Sequence, residues 1–260
     1  MIGSIVNDAA IRSILNSDPV WAAYGLADLQ ADFAPYCQWT VADDERGLAL
    51  IFTGLSIPTL FTFGPAASVA NAIASIDLPE KVYITVRDEH YPEVARYYDF
   101  RADYRPMWRM AMPADVTVAI PVDPRLVRLT VDDSARLRRL YQYGGSFAPD
   151  AFDPYQVENG AFFGIVGGDG ELVAAGGTHI VDWKHGVAGI GNMYTRPDQR
   201  RHGHAIKIVQ AIVATLQGGN VRNIVLNVDQ RNEGARILYE RFGFDLHCPY
   251  VEGIGMKRNA

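Results

Sequence analysis

A buried strand, a short basic loop and a long helix are predicted to follow one another directly between Val187 and Leu216. Residues 187–195 are mostly apolar or small, as in the interior of a sheet. Residues 205–216 place apolar side chains at helical spacing. Because the strand leads straight into a helix N-terminus, this half of the chain is restricted to a fold that mixes strands and helices.

Strands and helices alternate in the same way along the rest of the chain. This pattern predicts an α/β (α+β) fold with a mixed central sheet flanked by helices. The chain has 260 residues, which is more than one small domain needs. Three prolines surround a short apolar run in residues 113–124, and this segment is the best candidate for a boundary. We therefore predict two domains, residues 1–115 and residues 116–260.

The composition disfavours several classes of function. Hydrophobic residues make up 48% and charged residues 21% of the chain, and the net charge of -6 disfavours binding to nucleic acid. Cys37 and Cys248 form neither a disulfide framework nor a metal-ligand pattern, so no metal is expected. The N-terminus does not resemble a signal peptide, and the apolar stretches are too short to span a membrane. We expect a cytoplasmic protein that binds neither nucleic acid nor membrane.

The loop YTRPDQRRHGHA, which ends at Ala205, has the chemistry of a phosphate site. A helix N-terminus presents unpaired N–H groups and a partial positive charge. Gly203 and Ala205 are small enough to let a phosphate approach these groups. Positive charge comes from Arg200, Arg201 and His202. The spacing matches neither a P-loop nor a dinucleotide fingerprint, and it predicts a pyrophosphate site.

Two blocks of this half are similar to a known family. Arg200, Gly203 and Ala205 fit the Q/R-x-x-G-x-G/A motif of the GNAT superfamily of acetyl-CoA-dependent N-acetyltransferases. The second block resembles the family's L-x-V…N-x-x-A…L-Y-E-x-x-G-F pattern and consists of Leu226, Asn227, Val228, Asn232, Ala235, Leu238, Tyr239, Glu240, Phe242, Gly243 and Phe244. The order and separation of the blocks also fit. The resemblance covers residues 126–257.

The resemblance implies a GNAT-like fold in which two parallel strands separate at their ends and hold an acyl-CoA between them. Residues 190–195 and 224–228 would be these strands. The backbone of Met193 and Thr195 would pair with the pantetheine amides and with the acyl carbonyl, where it would stabilise an oxyanion. The cosubstrate would be acetyl-CoA or another acyl-CoA, bound by Met193, Tyr194, Thr195, Arg200, Arg201, His202, Gly203, His204, Ala205, Asn232 and Tyr239.

The catalytic residues that the resemblance implies are Tyr239 and Asn232. A phenol with a pKa near 10 suits the protonation of a leaving thiolate, and Asn232 would face the cofactor. Both also have structural interpretations, since Tyr239 fits a core position and Asn232 fits a helix cap. The general base stays open between a water chain and the candidates His179, Asp182 and His185, with Asn227 as a polar orienter. The candidates for an acceptor pocket are Phe147, Phe152 and Tyr155.

Three functions remain open at this level. The first is transfer of acetyl from acetyl-CoA to a primary amine of a small molecule or amino acid. Direct attack in a ternary complex is favoured, because neither cysteine lies in a recognisable nucleophile setting. The second is transfer of a longer acyl chain, and the third is a non-catalytic acyl-CoA sensor. The expected partner is a small-molecule amine, and the expected state is a monomer or homodimer.

The first half of the chain is similar to a degenerate copy of the second. Residues 82–100 and 223–244 both read as a strand, a polar turn, and a helix with an Ala-Arg pair, a tyrosine and a terminal phenylalanine. The earlier turn, Gly64-Pro65-Ala66, lacks the Q/R-x-x-G-x-G/A motif. We predict a degenerate GNAT-like N-terminal domain that does not bind coenzyme A, as in a glycine N-acyltransferase-like arrangement.

Overall fold

The computed structural model describes residues 8–149 and 152–258. The strands are β1 Cys37–Val41, β2 Leu48–Phe52, β3 Thr59–Phe63, β4 Lys81–Arg87, β5 Tyr98–Asp99, β6 Arg105–Ala111, β7 Leu126–Arg128, β8 Phe163–Val166, β9 Leu172–Asp182, β10 Val187–Thr195, β11 Asn223–Asp229 and β12 Asp245–Lys257. The helices are α1 Asp8–Leu15, α2 Ala23–Ala27, α3 Ala66–Ala74, α4 Tyr91–Val94, α5 Ser134–Tyr141, α6 Pro154–Asn159, α7 His204–Gly218 and α8 Glu233–Phe242. This order confirms the predicted mixed α/β class.

The chain divides into two compact units. Unit 1 consists of Met1–Arg109, Asp229–Arg231 and His247–Ala260, and unit 2 consists of Met110–Val228 and Asn232–Leu246. Division into domains 1–115 and 116–260 stays a prediction, because compactness alone does not define a folding domain.

Unit 1 is built on strands in the order β1-β2-β3-β4-β12-β6. The hairpin β2–β3 is antiparallel, and the following strand β4 is parallel to β3. Helix α3 connects these two strands and packs on the sheet, as parallel neighbours require. Apolar side chains of β2, β3, β4 and α3 share one core cluster. Trp21 is fully buried beside this sheet, and its indole Nε1 donates a hydrogen bond to the carbonyl oxygen of Thr62, at 3.0 Å.

Unit 2 contains strands in the order β11-β10-β9-β8-β7. The strands β8, β9 and β10 form an antiparallel series, and β11 is parallel to β10. Helix α7 connects that parallel pair and packs against β9 and β10. The core on α5 and α6 contains Leu137, Val157 and Tyr194. Helix α7 lies on the other face of the sheet, since a Cβ added to Gly176 of β9 would meet the side chain of Ile208 of that helix. Since neighbouring strand residues face opposite sides, the helices cover both faces of this sheet.

Within the segment 82–100, the sequence predicts a helix from Tyr91 to Tyr98, with Pro92 in its first turn, and this prediction is wrong beyond Val94. Tyr98 instead begins β5, which pairs with the end of β12. Its ring is completely buried and its hydroxyl donates to the carbonyl oxygen of Pro79, at 2.6 Å. Burial of the ring and satisfaction of the hydroxyl by a distant residue favour the strand over local helix propensity.

Two searches of the described residues bear on membrane and metal binding. None of the helices in residues 8–149 and 152–258 has the length and apolarity to cross a membrane. Within the same ranges, no three His, Cys, Asp or Glu side chains are grouped so that they could hold a metal ion.

Candidate active site

The parallel strands β10 and β11 separate part-way along their length. They are paired from Val187↔Asn223 to Ile190↔Leu226. Strand β10 then runs on to Thr195 and β11 also continues, but the described residues show no further pairing between the two. The strands therefore leave a wedge at their C-terminal ends, where backbone groups of β10 lack a strand partner on the side of β11.

A bulge in β10 lies at the start of this wedge and is centred on Asn192. The register with β9 shifts between Gly191 and Tyr194, and Asn192 has a φ of 53°. Asparagine is among the few residues with a side chain that tolerate this left-handed conformation. The Tyr141 hydroxyl donates to the carbonyl oxygen of Asn192 at 3.0 Å. The side-chain Nδ2 of Asn192 donates to Oε1 of Gln156 at 2.8 Å, so residues of both α5 and α6 hold the bulge in place.

Buried amide oxygens lie on both strands of the wedge. The Oδ1 atoms of Asn192 and Asn227 have no hydrogen-bond partner in the described part of the chain. Such an unpaired acceptor costs about 1–3 kcal/mol, so the wedge is suited to a ligand with N–H donors. Asn227 is among the residues predicted from the sequence and Asn192 is not, although an asparagine after glycine inside an apolar strand is a recognisable signal for a bulge.

The N-terminus of α7 is open to an anion. Gly203 precedes the helix with a φ of 74°, and no side chain caps the first turn. Asparagine and aspartate caps occupy the corresponding positions of two other helices of unit 2, Asn232 on α8 and Asp153 on α6. The first-turn N–H groups of α7 are thus left for a ligand.

Two arginines beside this helix keep their charges unpaired. Arg200 and Arg201 are exposed and make no ion pair among the described residues. The Nε of Arg200 donates to the carbonyl oxygen of Thr195 at 3.3 Å, which folds the loop back on the strand end. By contrast, Lys207 binds Asp123 at 2.7 Å. Arg200 and Arg201 are therefore the cations suited to a phosphate at α7.

The two histidines of the loop differ in environment. His202 is exposed, whereas His204 is 3% exposed and its Nδ1 has no partner in the described part of the chain. Their rings are stacked with centroids 5.8 Å apart. Burial, followed by the charges of nearby cationic groups, lowers the pKa of His204. His204 is thus neutral at physiological pH and contributes backbone N–H rather than charge.

The three predicted residues at the end of β10 differ in what their side chains contact. Met193 lies over Gly176, where it faces α7. Tyr194 is buried on the other side, and its hydroxyl donates to the carbonyl oxygen of Gly144 at 2.7 Å. The side chain of Tyr194 thus fills the core, whereas that of Met193 is only partly buried. Thr195 is partly exposed at the mouth of the wedge.

Helix α8 carries the two residues predicted to be catalytic. Oδ1 of Asn232 accepts from the backbone N–H of Ala235 at 3.2 Å, so the residue does cap the helix. Tyr239 is buried, and its ring contacts Phe244 edge-on. Burial raises the pKa of Tyr239 to about 12. The phenol therefore keeps its proton at neutral pH, as a proton donor must.

The three candidate bases lie on β9 and in the turn after it, and they face two different parts of β10. His179 lies at the wedge, because a Cβ at Gly191 would clash with its imidazole ring. Asp182 and His185 form a pair with 2.7 Å between Oδ2 and Nδ1, at the turn before Val187. That turn is at the opposite end of β10 from the wedge. Of these three, His179 is the one that the fold brings near the separated strands.

The aromatic residues proposed for an acceptor pocket also differ. Phe152 packs edge-on against Tyr141 and Phe162, with ring centroids 5.6 and 6.1 Å apart, which places it in the core. Phe147 and Tyr155 are 45% and 40% exposed. Phe147 and Tyr155 are therefore the more exposed of the three candidates, whereas Phe152 packs against the core cluster of unit 2.

The sequence of this region matches a known family. Residues 129–244 match the sequence model of the "Acetyltransferase (GNAT) family". The matched range contains both strands of the wedge, the α7 loop and α8. Residues 129–244 are therefore similar to a GNAT acetyltransferase domain. Domains of this family use acetyl-CoA as cosubstrate, and the wedge, the open helix N-terminus and the two free arginines are consistent with such a ligand.

Solved structures share the fold with the whole chain. An X-ray structure of a Drosophila protein aligns with a TM-score of 0.71 at 15% identity and covers 96% of this chain and 97% of its own. A tandem GNAT protein from the clavulanic acid biosynthesis pathway has a TM-score of 0.58 at 13% identity, with 98% and 97% covered. A putative GNAT-family acetyltransferase from Novosphingobium aromaticivorans has a TM-score of 0.54 at 17% identity, with 80% and 92% covered. No curated protein matches the sequence.

Proposed function

We propose that this protein transfers an acyl group, first of all acetyl, from coenzyme A to a primary amine of a small molecule or amino acid. The observation that carries the proposal is the uncapped N-terminus of α7 next to the wedge between β10 and β11. A pyrophosphate and a chain of amides are the two parts of coenzyme A that such an arrangement suits.

Different residues of unit 2 would bind the pyrophosphate and the pantetheine of coenzyme A. The N–H groups of the first turn of α7 and the side chains of Arg200 and Arg201 would hold the pyrophosphate. The backbone of Met193 and Thr195 would pair with the pantetheine amides along the edge of β10. The orphan Oδ1 atoms of Asn192 and Asn227 would accept N–H groups inside the wedge.

Direct attack by the amine is favoured over a covalent acyl-enzyme. Burial, followed by the charges of Asp28 and Asp8, raises the pKa of Cys37 to about 12. Burial also raises the pKa of Cys248. Both thiols are therefore protonated at neutral pH, and a protonated thiol is a poor nucleophile. Tyr239 would protonate the leaving thiolate, and His179, whose ring lies over Gly191, would take the proton from the amine.

The proposal extends to unit 1 as a degenerate second copy. Both units contain an antiparallel hairpin, then a helix, then a strand parallel to the second hairpin strand: β2-β3-α3-β4 and β9-β10-α7-β11. In unit 1, Gly64 packs against the backbone of Arg46 and Gly47. The helix that follows begins after Pro65 and has no basic residue in its first turn as a partner for phosphate.

An amine screen tests the proposed reaction. The protein is mixed with acetyl-CoA and a panel of small amines and amino acids, and the released thiol is measured. Release that depends on both amine and protein supports the proposal. Binding of acetyl-CoA without release from any amine would favour the sensor instead. Acyl-CoA donors of increasing chain length, tested with the best amine, separate an acetyltransferase from a longer-chain enzyme.

A further inference from the structure

Arg109 in unit 1 is a buried cation without a hydrogen-bond partner. The residue lies on β6 and is 0% exposed. Its Nε, Nη1 and Nη2 atoms make no hydrogen bond within residues 8–149 and 152–258. A guanidinium is always charged and carries five N–H donors. Burial of such a group is costly unless an acceptor pairs with it, so the unpaired state calls for an explanation.

Aromatic rings surround this guanidinium. Its central carbon lies 4.8 Å from the ring centroid of Tyr24, 5.3 Å from that of Trp21 and 5.6 Å from that of Tyr250. The faces of these rings attract a cation and offset part of the desolvation cost. They offer no oxygen lone pairs in the directions of the N–H groups, so the hydrogen-bonding capacity of Arg109 remains unused.

Two carboxyl groups of unit 1, those of Glu252 and Asp28, make no hydrogen bond to Arg109. Glu252 accepts hydrogen bonds from the hydroxyls of Tyr83 and Tyr250, at 2.6 and 2.7 Å. Burial raises the pKa of Asp28 to about 7, so this carboxyl is partly protonated at neutral pH. An anion for Arg109 is therefore not supplied by either of these side chains.

We propose that Arg109 binds the carboxylate of a small ligand within unit 1. The planar fork of a guanidinium matches the two oxygens of a carboxylate, and flat aromatic walls accept a planar group better than a tetrahedral one. Trp21 and Tyr250 are fully buried, whereas Tyr24 is partly exposed. The ligand reaches Arg109 by displacement of the Tyr24 ring. This inference does not depend on the acyl-transfer proposal.

Titration with simple carboxylates, without coenzyme A, tests the site. The probes are propionate and benzoate, with propionamide and benzamide as neutral counterparts and inorganic phosphate as a separate arm, all at constant ionic strength. Binding is followed by NMR and by tryptophan fluorescence, since Trp21 contacts the guanidinium. Wild type should bind one carboxylate per chain and neither amide.

Two substitutions of Arg109 and one control localise the binding. Arg109→Met should weaken carboxylate binding at least about tenfold and should fold, because an apolar residue in place of an unpaired buried charge is often neutral or stabilising. Arg109→Lys keeps the charge but loses the fork, so it should also bind about tenfold more weakly. The control is Arg105→Met, on the same strand, where Arg105 pairs with Asp103 at 3.3 Å and lies over the Tyr83 ring. It should leave binding unchanged.

Three outcomes would overturn the proposal. One is the lack of saturable binding of either carboxylate by wild type. Another is equal binding by wild type and Arg109→Met or, if the methionine variant does not fold, by wild type and Arg109→Lys. The third is saturation by phosphate in preference to the carboxylates, which would mean that Arg109 selects a tetrahedral anion.

Discussion

The hydroxyl of Tyr141 donates a hydrogen bond to the backbone carbonyl oxygen of Asn192, at 3.0 Å, inside the core of unit 2. The bond ties α5 to the bulge where β10 leaves β11. Asn192 holds a left-handed conformation there, with a φ of 53°, and such a conformation persists only where neighbouring structure enforces it. The shape of the proposed cofactor wedge thus depends on a tyrosine from a different element.

Tyr141→Phe should loosen the bulge and weaken acetyl-CoA binding. The change leaves a buried carbonyl without its donor, at a cost of about 1–3 kcal/mol in the free energy of unfolding. If the loosened bulge makes the free energy of acetyl-CoA binding less favourable by about 1.4 kcal/mol, the affinity for acetyl-CoA falls about tenfold. Denaturant unfolding and calorimetry with acetyl-CoA measure the two effects. A destabilised variant with wild-type affinity would show that the bulge does not shape the site.

Gly203→Val should weaken acetyl-CoA binding at least about tenfold, since its side chain would lie where a phosphate approaches the first turn of α7. A positive φ of 74° also strains valine. Gly170→Val is the matched control, because Gly170 has a φ of 82° and, like Gly203, offers space for a Cβ. Calorimetry should show the affinity loss for Gly203→Val alone. Equal affinities of the two folded variants would remove the phosphate site from this loop.

Coenzyme A should bind at one site per chain. Unit 1 lacks basic residues at the start of α3, and the backbone of Arg46 and Gly47 closes the turn at Gly64. A pyrophosphate has no comparable place there. Calorimetric titration with acetyl-CoA gives the stoichiometry directly. A value of two would contradict the interpretation of unit 1 as a degenerate copy.

Tyr239→Phe should lower kcat at least tenfold while acetyl-CoA affinity stays nearly constant, because general acids typically contribute on the order of a hundredfold to ten-thousandfold. The ring keeps its packing against Phe244. Tyr98→Phe is the control, since Tyr98 is also buried and its hydroxyl donates to the carbonyl oxygen of Pro79, in unit 1. It should lose stability but not kcat. If kcat of Tyr239→Phe is unchanged while chemistry limits the rate, the thiolate takes its proton from another source.

The contribution of His90 to the stability of the protein should be lost as the pH is lowered past about 6.5. Burial lowers the pKa of His90, whose Nε2 donates to the carbonyl oxygen of Gly64 while Nδ1 accepts from the Thr62 hydroxyl. The folded state thus favours neutral His90, whereas the unfolded chain takes up a proton near pH 6.5. The stabilising contribution is complete above this pH and is lost as the pH falls toward the lower folded pKa.

Each such histidine contributes at most about 1.4 kcal/mol per pH unit. His204, whose pKa is also lowered, acts with the same sign in unit 2. Denaturant unfolding of wild type and His90→Gln at about pH 7.5 and about pH 5 isolates the contribution of His90, because the opposite effect of Asp28, whose raised pKa favours the folded state as the pH falls, is common to both proteins. His90→Gln should flatten the dependence, because glutamine does not titrate. An unchanged slope in that variant would show that His90 is not responsible.

Much of the fold and of the candidate site followed from the sequence because local patterns determine them. The strand Val187–Thr195 has the predicted bounds, since the apolar β-forming run ends at a polar loop. Helix α7 begins one residue from its predicted start, because Gly203 marks the boundary. The uncapped helix N-terminus is a property of this local order and needs no distant contact.

Tertiary structure alone decided the features that depend on distant partners. The bulge at Asn192 requires Tyr141 and Gln156, which are 51 and 36 residues away in sequence. A strand replaces the predicted helix beyond Val94 because the ring of Tyr98 is buried, its hydroxyl bonds to Pro79 and its backbone pairs with β12. The unpaired state of Arg109 arises only when three aromatic rings from separate segments enclose it. Burial and long-range hydrogen bonding, which local sequence does not encode, determine these three features.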